Sequence, residues 1–143
     1  FNAQAYVIPP LRSNTDQNAL IRGLQDGTID AICSHHEPLN DTAKQAPFAE
    51  STPGISNFDT FMALGCKLVR DNILTPEQLV EKICLAPARI AGIEEQYHQV
   101  GGAVLVDPNQ EWQLTRDSML SKGKNTPFLN QTLQGKVVET YFD

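Results

Sequence analysis

The sequence predicts an α/β fold built on a parallel sheet, followed by a smaller β-rich segment. Three observations carry that expectation. A β-prone run, Ala5-Tyr6-Val7-Ile8, precedes a segment of helical period. A short, mostly apolar run, Ile29-Asp30-Ala31-Ile32-Cys33, follows that segment. Strand, helix and buried strand in this order make one βαβ unit, whose strands pair in parallel. After Gly101-Gly102 the helical patterns give way to strand patterns, so residues 1–100 read as the α/β part and 101–143 as a β-rich part. No internal repeat is visible.

Each element has a local reason. Pro9-Pro10 stops the first strand, because proline lacks the N–H that a ladder needs. Asn14 and Thr15 are candidate N-caps for a helix whose apolar positions are Ala19, Leu20, Gly23 and Leu24, and Gly27 should end it. A polar loop with Pro38, Pro47, Pro53 and Gly54 runs from Ser34 to about Asn57. Loops of that length inside a compact fold are often functional, and in α/β barrels the loops after the strands carry the active site. Phe58, Phe61, Met62, Gly65, Leu68 and Val69 form the apolar stripe of a second helix, read as core, with Asn72 as its stop. Thr75-Pro76-Glu77-Gln78 is a helix start, with a Thr cap, Pro at the first position and an acid in the first turn. Leu79, Val80, Ile83 and Cys84 should line that helix's core face, and Ala86 to Gly92 reads as a further short helix. Ala103–Val106 is a strand closed by Asp107-Pro108-Asn109, and Trp112–Leu114 a further short strand with Trp112 as a packing anchor. Leu133-Gln134-Gly135 reads as a turn leading into a strand that runs to Phe142.

Composition narrows the function classes. Of 143 residues 41% are hydrophobic, enough for a packed core, yet no stretch approaches the roughly 20 apolar residues that span a bilayer. The chain opens on Phe1 with no basic or apolar leader pattern, so no signal peptide is expected. Seventeen acidic against eleven basic residues give a net charge of −6, which argues against nucleic acid, since phosphate backbones need a basic stripe. Lys122 and Lys124 form a small basic cluster, read as a solvated turn. Cys33, Cys66 and Cys84 are odd in number and unpaired in spacing, which suits reduced, buried thiols in the cytoplasm and gives no support for structural zinc.

Candidate chemistry gathers in the long loop. His35-His36-Glu37 has the residue types of a metal cluster, but neighbours along a strand point to opposite faces, and His98 is the only other histidine. Ser34 beside His35 suggests a nucleophile and base, without an acid to orient them. Gly123-Lys124 lacks the glycine spacing of a phosphate loop. Asp41, Glu50 and Asp59 read as solvated or capping carboxylates.

Four segments together carry a family resemblance. Tyr6-Val7-Ile8-Pro9-Pro10-Leu11-Arg12-Ser13 is similar to the asparagine-proline-proline-leucine-arginine stretch after the seventh barrel strand of dihydroorotases. Gly27 to Leu39 resembles their eighth strand, which ends in aspartate-histidine-x-proline-histidine. Ala46-Pro47-Phe48 and Pro53-Gly54-Ile55 resemble the following loop. Asn72 to Gly92, Asn125-Thr126-Pro127-Phe128 and Gly135-Lys136-Val137-Val138 resemble the last helices and the C-terminal β segment.

The resemblance implies the C-terminal portion of a TIM-barrel amidohydrolase: the last two strands and helices, plus strands of a small β domain built from both chain ends. It implies the reversible ring closure of carbamoyl aspartate to dihydroorotate, assisted by zinc that makes hydroxide and polarises the amide. It places His35 where the family has an aspartate acting as metal ligand and general base. Leu39 stands where the family has a histidine for the substrate carboxylate, and Ile8 where it has an asparagine for the substrate ring. His36, Pro53 and Gly54 are retained. With Ile8, His35 and Leu39 changed together, the expectation is a degenerate site that binds no metal or other cofactor, in a cytoplasmic, oligomeric, non-catalytic dihydroorotase-like protein of pyrimidine biosynthesis. Its expected partner is the catalytic subunit of aspartate carbamoyltransferase. The alternative is part of a working dihydroorotase or related cyclic amidohydrolase, completed by the remainder of the barrel. Ile8, His35 and Leu39 are expected to cluster.

Overall fold

The computed structural model describes residues 2–99 and 102–142. Helix α1 spans Asn14–Asp26 and α2 spans Phe58–Arg70. Helix α3, Pro76–Val80, passes through a π-helical turn at Glu81–Leu85 into α4, Ala86–Ile90, and α5 spans Glu94–Gln99. Strands β1, Ala103–Gln113, and β2, Thr132–Tyr141, make one two-stranded sheet. The expected boundary at Gly101 lies outside the described residues.

The two strands expected before residue 34 are absent from the described residues, and the hydrogen bonds show why. Ala5 and Tyr6 donate their N–H groups locally, to Asn2 O at 3.0 Å and Ala3 O at 3.2 Å, in a single 3₁₀ turn over Ala3–Ala5. The Ile8–Pro9 peptide bond is cis. In the Ile29–Cys33 run, Ile29 N–H goes to Gly23 O at 2.8 Å and Ile32 N–H to Lys82 O at 2.9 Å. Extended backbone becomes a strand only when a neighbour supplies a ladder. Outside β1 and β2, the described residues hold a single parallel bridge, His36 to Ile55.

The chain divides into two compact units. The first comprises Phe1–Ser13, Ser34–Phe61 and Trp112–Leu133; the second comprises Asn14–Cys33, Met62–Glu111 and Gln134–Asp143.

In the second unit, α1 ends at Gly27, whose φ of 84° closes the helix, and α2 ends before Asn72, at φ 56°. Thr75 caps α3 as foreseen: its hydroxyl accepts from Gln78 N at 3.2 Å, and the Gln78 side chain accepts from Thr75 N at 2.8 Å, a complete capping box. Ala63, Cys66, Leu74, Leu79, Ala86 and Ala88 are buried. The buried face of α2 is thus its small-residue face, which lets Leu79 lie against Gly65 and brings β2 onto Cys66. The expected apolar stripe is corrected accordingly: Phe58 is exposed, Phe61 and Met62 are half-buried, and Val80 of the α3 face is exposed. Of the three cysteines expected to be buried only Cys66 is, and burial pushes its thiol above the ordinary value; Cys84 is half-buried, Cys33 is exposed, and no disulfide joins them.

The hairpin departs from expectation at two points. Asp107-Pro108-Asn109 does not close β1, which continues to Gln113 and takes in Trp112. Both strands of a two-stranded sheet are edges, where proline's missing N–H is tolerated, and Asp107 Oδ1 accepts from Asn109 N and Gln110 N to carry the chain past it. Gly135 is not in a turn before β2 but inside it, at φ 101°. Arg70, at the end of α2, donates to Gln134 O at 3.0 Å and Pro108 O at 3.5 Å, tying both strands to the helix.

Candidate functional site

All five positions singled out by the sequence, Ile8, His35, Leu39, Pro53 and Gly54, fall in the first unit. Three chain segments meet there through backbone bonds. Gly54 N donates to Tyr6 O at 2.9 Å, and Glu37 N donates to Ile55 O at 2.9 Å. Two side chains then lock the segments: Asn125, which the sequence marks only as part of a matching segment, and Lys44, which it does not mark at all.

The first is Asn125, 2% exposed. Its Oδ1 accepts from Leu39 N at 2.7 Å, while its Nδ2 donates to Glu37 O at 2.9 Å and Gly54 O at 3.1 Å. Its carbonyl accepts from Ser56 N at 2.8 Å. One amide thereby satisfies three backbone groups of two loop strands that have no ladder between them at those points. Gly123 reinforces the arrangement by close approach: a Cβ there would lie 2.5 Å from Leu39 N and 2.7 Å from Pro38 C.

The second is Lys44, buried at 7% exposure. Its ammonium donates to Thr52 O at 2.7 Å and Tyr6 O at 3.2 Å. Burial pushes the group below its ordinary value, and the Glu37 carboxylate opposes that shift. Lys44→Met keeps the stem but leaves both carbonyls without this donor. The expected cost is about 1–3 kcal/mol, read as a lower urea midpoint with an unchanged m-value. An unaltered midpoint would show that solvent replaces the ammonium.

The two adjacent histidines take different environments. His36 Nδ1 accepts from Asn57 N at 3.0 Å and Phe58 N at 3.1 Å, and its ring stacks on Phe58 with centroids 4.1 Å apart. An Nδ1 that accepts two N–H groups belongs to the tautomer with its proton on Nε2. His36 therefore works as a cap for the start of α2, helped by Asn57 Nδ2, which donates to Ser34 O at 2.9 Å. His35 has φ 44°, so the segment is not a regular strand at this residue, and its Nδ1 lies 3.9 Å from Glu37 Oε2. Both side chains are about half exposed, at 53% and 46%, which leaves such a pair little energetic weight.

Ile8 is 58% exposed, Leu39 half-buried and Pro53 half-buried, while Gly54 is buried. Of the carboxylates read as solvated or capping, Asp41 pairs with Arg116 at 2.5 Å, which holds its carboxyl below the usual range. Asp59 accepts from Leu120 N at 2.6 Å and Ser121 Oγ at 2.5 Å, anchoring the loop after β1. Lys124, read with Lys122 as a solvated turn, is half-buried and donates to Met119 O at 2.8 Å; Lys122 is exposed.

The described residues do not by themselves make up a ligand set for the zinc that the resemblance implies. Among the described residues no three His, Cys, Asp or Glu side chains converge on a point where an ion could sit. The Nδ1 of His36 is already committed to two backbone donors. An imidazole at residue 35 can ligate a metal but brings no negative charge where the resemblance expects a carboxylate. Among the described residues no helix is long and apolar enough to cross a membrane.

No family model matches the chain. Similar curated proteins do. The chain is 40% identical over 143 residues to the dihydroorotase of Syntrophus aciditrophicus (strain SB), covering 98% of this chain and 34% of that protein. It is 40% identical over 139 residues to the dihydroorotase of Thermoanaerobacter sp. (strain X514), covering 95% and 32%. Among solved structures, the dihydropyrimidinase from Brevibacillus agri NCHU1002 superposes with a TM-score of 0.85 at 21% identity, over 98% of this chain and 32% of that one. The L-hydantoinase from Arthrobacter aurescens gives 0.81 at 23% identity, over 96% and 32%. The chain spans about a third of the length of the curated relatives it matches. The chain is thus similar in sequence to about a third of a dihydroorotase and in fold to about a third of the dihydropyrimidinase and hydantoinase structures.

Proposed function

We propose that the chain is part of a dihydroorotase-like protein of pyrimidine biosynthesis that is non-catalytic and has an assembly role towards the catalytic subunit of aspartate carbamoyltransferase. The observation that carries this reading is the use of the two histidines. His36 spends its Nδ1 on capping α2, and His35 faces Glu37 across 3.9 Å instead of joining a ligand set. Ile8 and Leu39 add no polar group to the same unit where the resemblance expects an asparagine and a histidine. The scaffold around the missing chemistry is nevertheless fully tied, by Asn125 and Lys44. A tied frame around altered reactive positions supports a role in which shape matters and turnover does not.

A specific observation favours a second reading. Relatives at 40% identity carry the name dihydroorotase, and the Pro53-Gly54 loop is retained. On that reading the chain is part of a metal-dependent dihydroorotase or related cyclic amidohydrolase, with ligands supplied by other residues of a TIM barrel.

The natural full-length protein separates the two. Elemental analysis, dihydroorotate hydrolysis followed by absorbance, and size exclusion with the transferase catalytic subunit are the measurements. The expected outcome is no stoichiometric zinc, no turnover, and a complex that co-elutes at concentrations on the order of 10 µM, burying at least about 1,000 Å². Turnover that disappears on His35→Ala would establish the second reading. Separate elution of the two proteins would sink the assembly role.

A further inference from the structure

A polar cleft in the first unit belongs to none of the positions discussed above as the family's site. It encloses about 250 Å³ and is lined by Lys44, Arg116 and Lys124 against a single carboxylate, Asp41, with Asn125 and Asn130 among its other walls. Three cations and one anion leave a formal lining charge of +2 in a chain whose total is −6. Such a local reversal of sign costs self-repulsion unless something compensates it.

The cations are also held in place. Lys44 Nζ is anchored by the carbonyls of Thr52 and Tyr6, and Lys124 Nζ by that of Met119. Neutral carbonyls fix an ammonium without cancelling its charge. Each ammonium has three N–H donors, and these contacts use two on Lys44 and one on Lys124. Arg116 gives one amino group to Asp41, and its guanidinium has five donors in all. Burial holds the Lys44 ammonium below its ordinary value even with the Glu37 carboxylate acting against that shift. Preorganised donors of one sign in a partly desolvated cleft are the ordinary design of an anion site.

We propose that this cleft binds a small dianion, the chemistry shared by inorganic phosphate and a short dicarboxylate. A volume of about 250 Å³ lies just under the usual range for drug-sized ligands, which suits a small anion. Two negative charges would neutralise the lining.

Isothermal titration of the full natural chain at low ionic strength, with inorganic phosphate and malonate as separate probes and chloride as the control anion, tests the assignment. One probe or the other should bind saturably with a dissociation constant at or below about 1 mM. Which of the two binds more tightly identifies the source. Arg116→Ala and Lys124→Ala should each weaken binding about tenfold, as expected for removing one unit charge a few ångströms from the ligand. Lys122→Ala, one loop position outside the lining, should leave it unchanged. Absence of saturable binding by both probes at about ten times that concentration would overturn the proposal, as would binding that survives Arg116→Ala and Lys124→Ala alike or that Lys122→Ala abolishes equally.

Discussion

Asn125→Ala should destabilise the protein by about 3–5 kcal/mol, the larger of the two biggest effects expected here. Truncation strands Leu39 N, Glu37 O and Gly54 O in a pocket where the side chain is 2% exposed. Each buried group left without a partner costs about 1–3 kcal/mol, and the three share one amide, so the total falls short of a simple sum. Against a typical stability of about 5–15 kcal/mol, that loss takes a large part of the whole. Asn125→Asp is the sharper test. A carboxylate can still accept from Leu39 N but faces two carbonyl oxygens with no proton to offer. Its folded-state pKa would then lie above the unfolded value, so the aspartate variant should be most stable at low pH and lose stability as pH rises through that raised pKa. Urea melts at two pH values measure this. A variant as stable as the wild type near neutral pH would mean that the Asn125 network does not hold the loops.

Gly135→Ala should cost about 2–4 kcal/mol. Two effects add. The backbone sits at φ 101°, where an L side chain is strained by about 1–3 kcal/mol. The new methyl would also lie 2.8 Å from Cys66 Cβ and 3.0 Å from Cys66 Sγ, with Ala63 Cα at 3.5 Å. Pairing the change with Cys66→Ala tells the effects apart. The substitution removes the sulfur but keeps the Cβ that is the nearest atom, so rescue should be partial at most. Full recovery in the double variant would show that sulfur overlap is the whole cost and that the backbone relaxes freely. The lower unfolding midpoint should come with release of the buried Cys66 thiol to alkylation, since β2 packs on it.

What the sequence alone determined is what depends on neighbours along the chain. Thr75 and Gln78 form their capping box because a helix start needs only a side chain and the N–H groups three residues away. Gly27, Asn72 and Gly92 end their helices at positive φ for equally local reasons. The resemblance also marks His35, Leu39 and Ile8 as the positions expected to differ from the dihydroorotase pattern. Tertiary structure decided the rest. Ala5–Ile8 and Ile29–Cys33 have strand composition, yet a strand is a relation between two segments, and the N–H groups of Ala5, Tyr6, Ile29 and Ile32 find single local or helical partners instead. Pro108 reads as a stop until it lies on an edge, where no ladder bond is lost. Phe58 reads as core by period, but α2 turns its small residues inward, because close packing rewards the face that fits. Asn125 and Lys44 have no signal in their own neighbourhoods, since their partners lie 71 to 88 and 8 to 38 positions away. Polar side chains that join distant backbone segments become visible only once folding has brought those carbonyls and N–H groups together out of water, where each must find a partner.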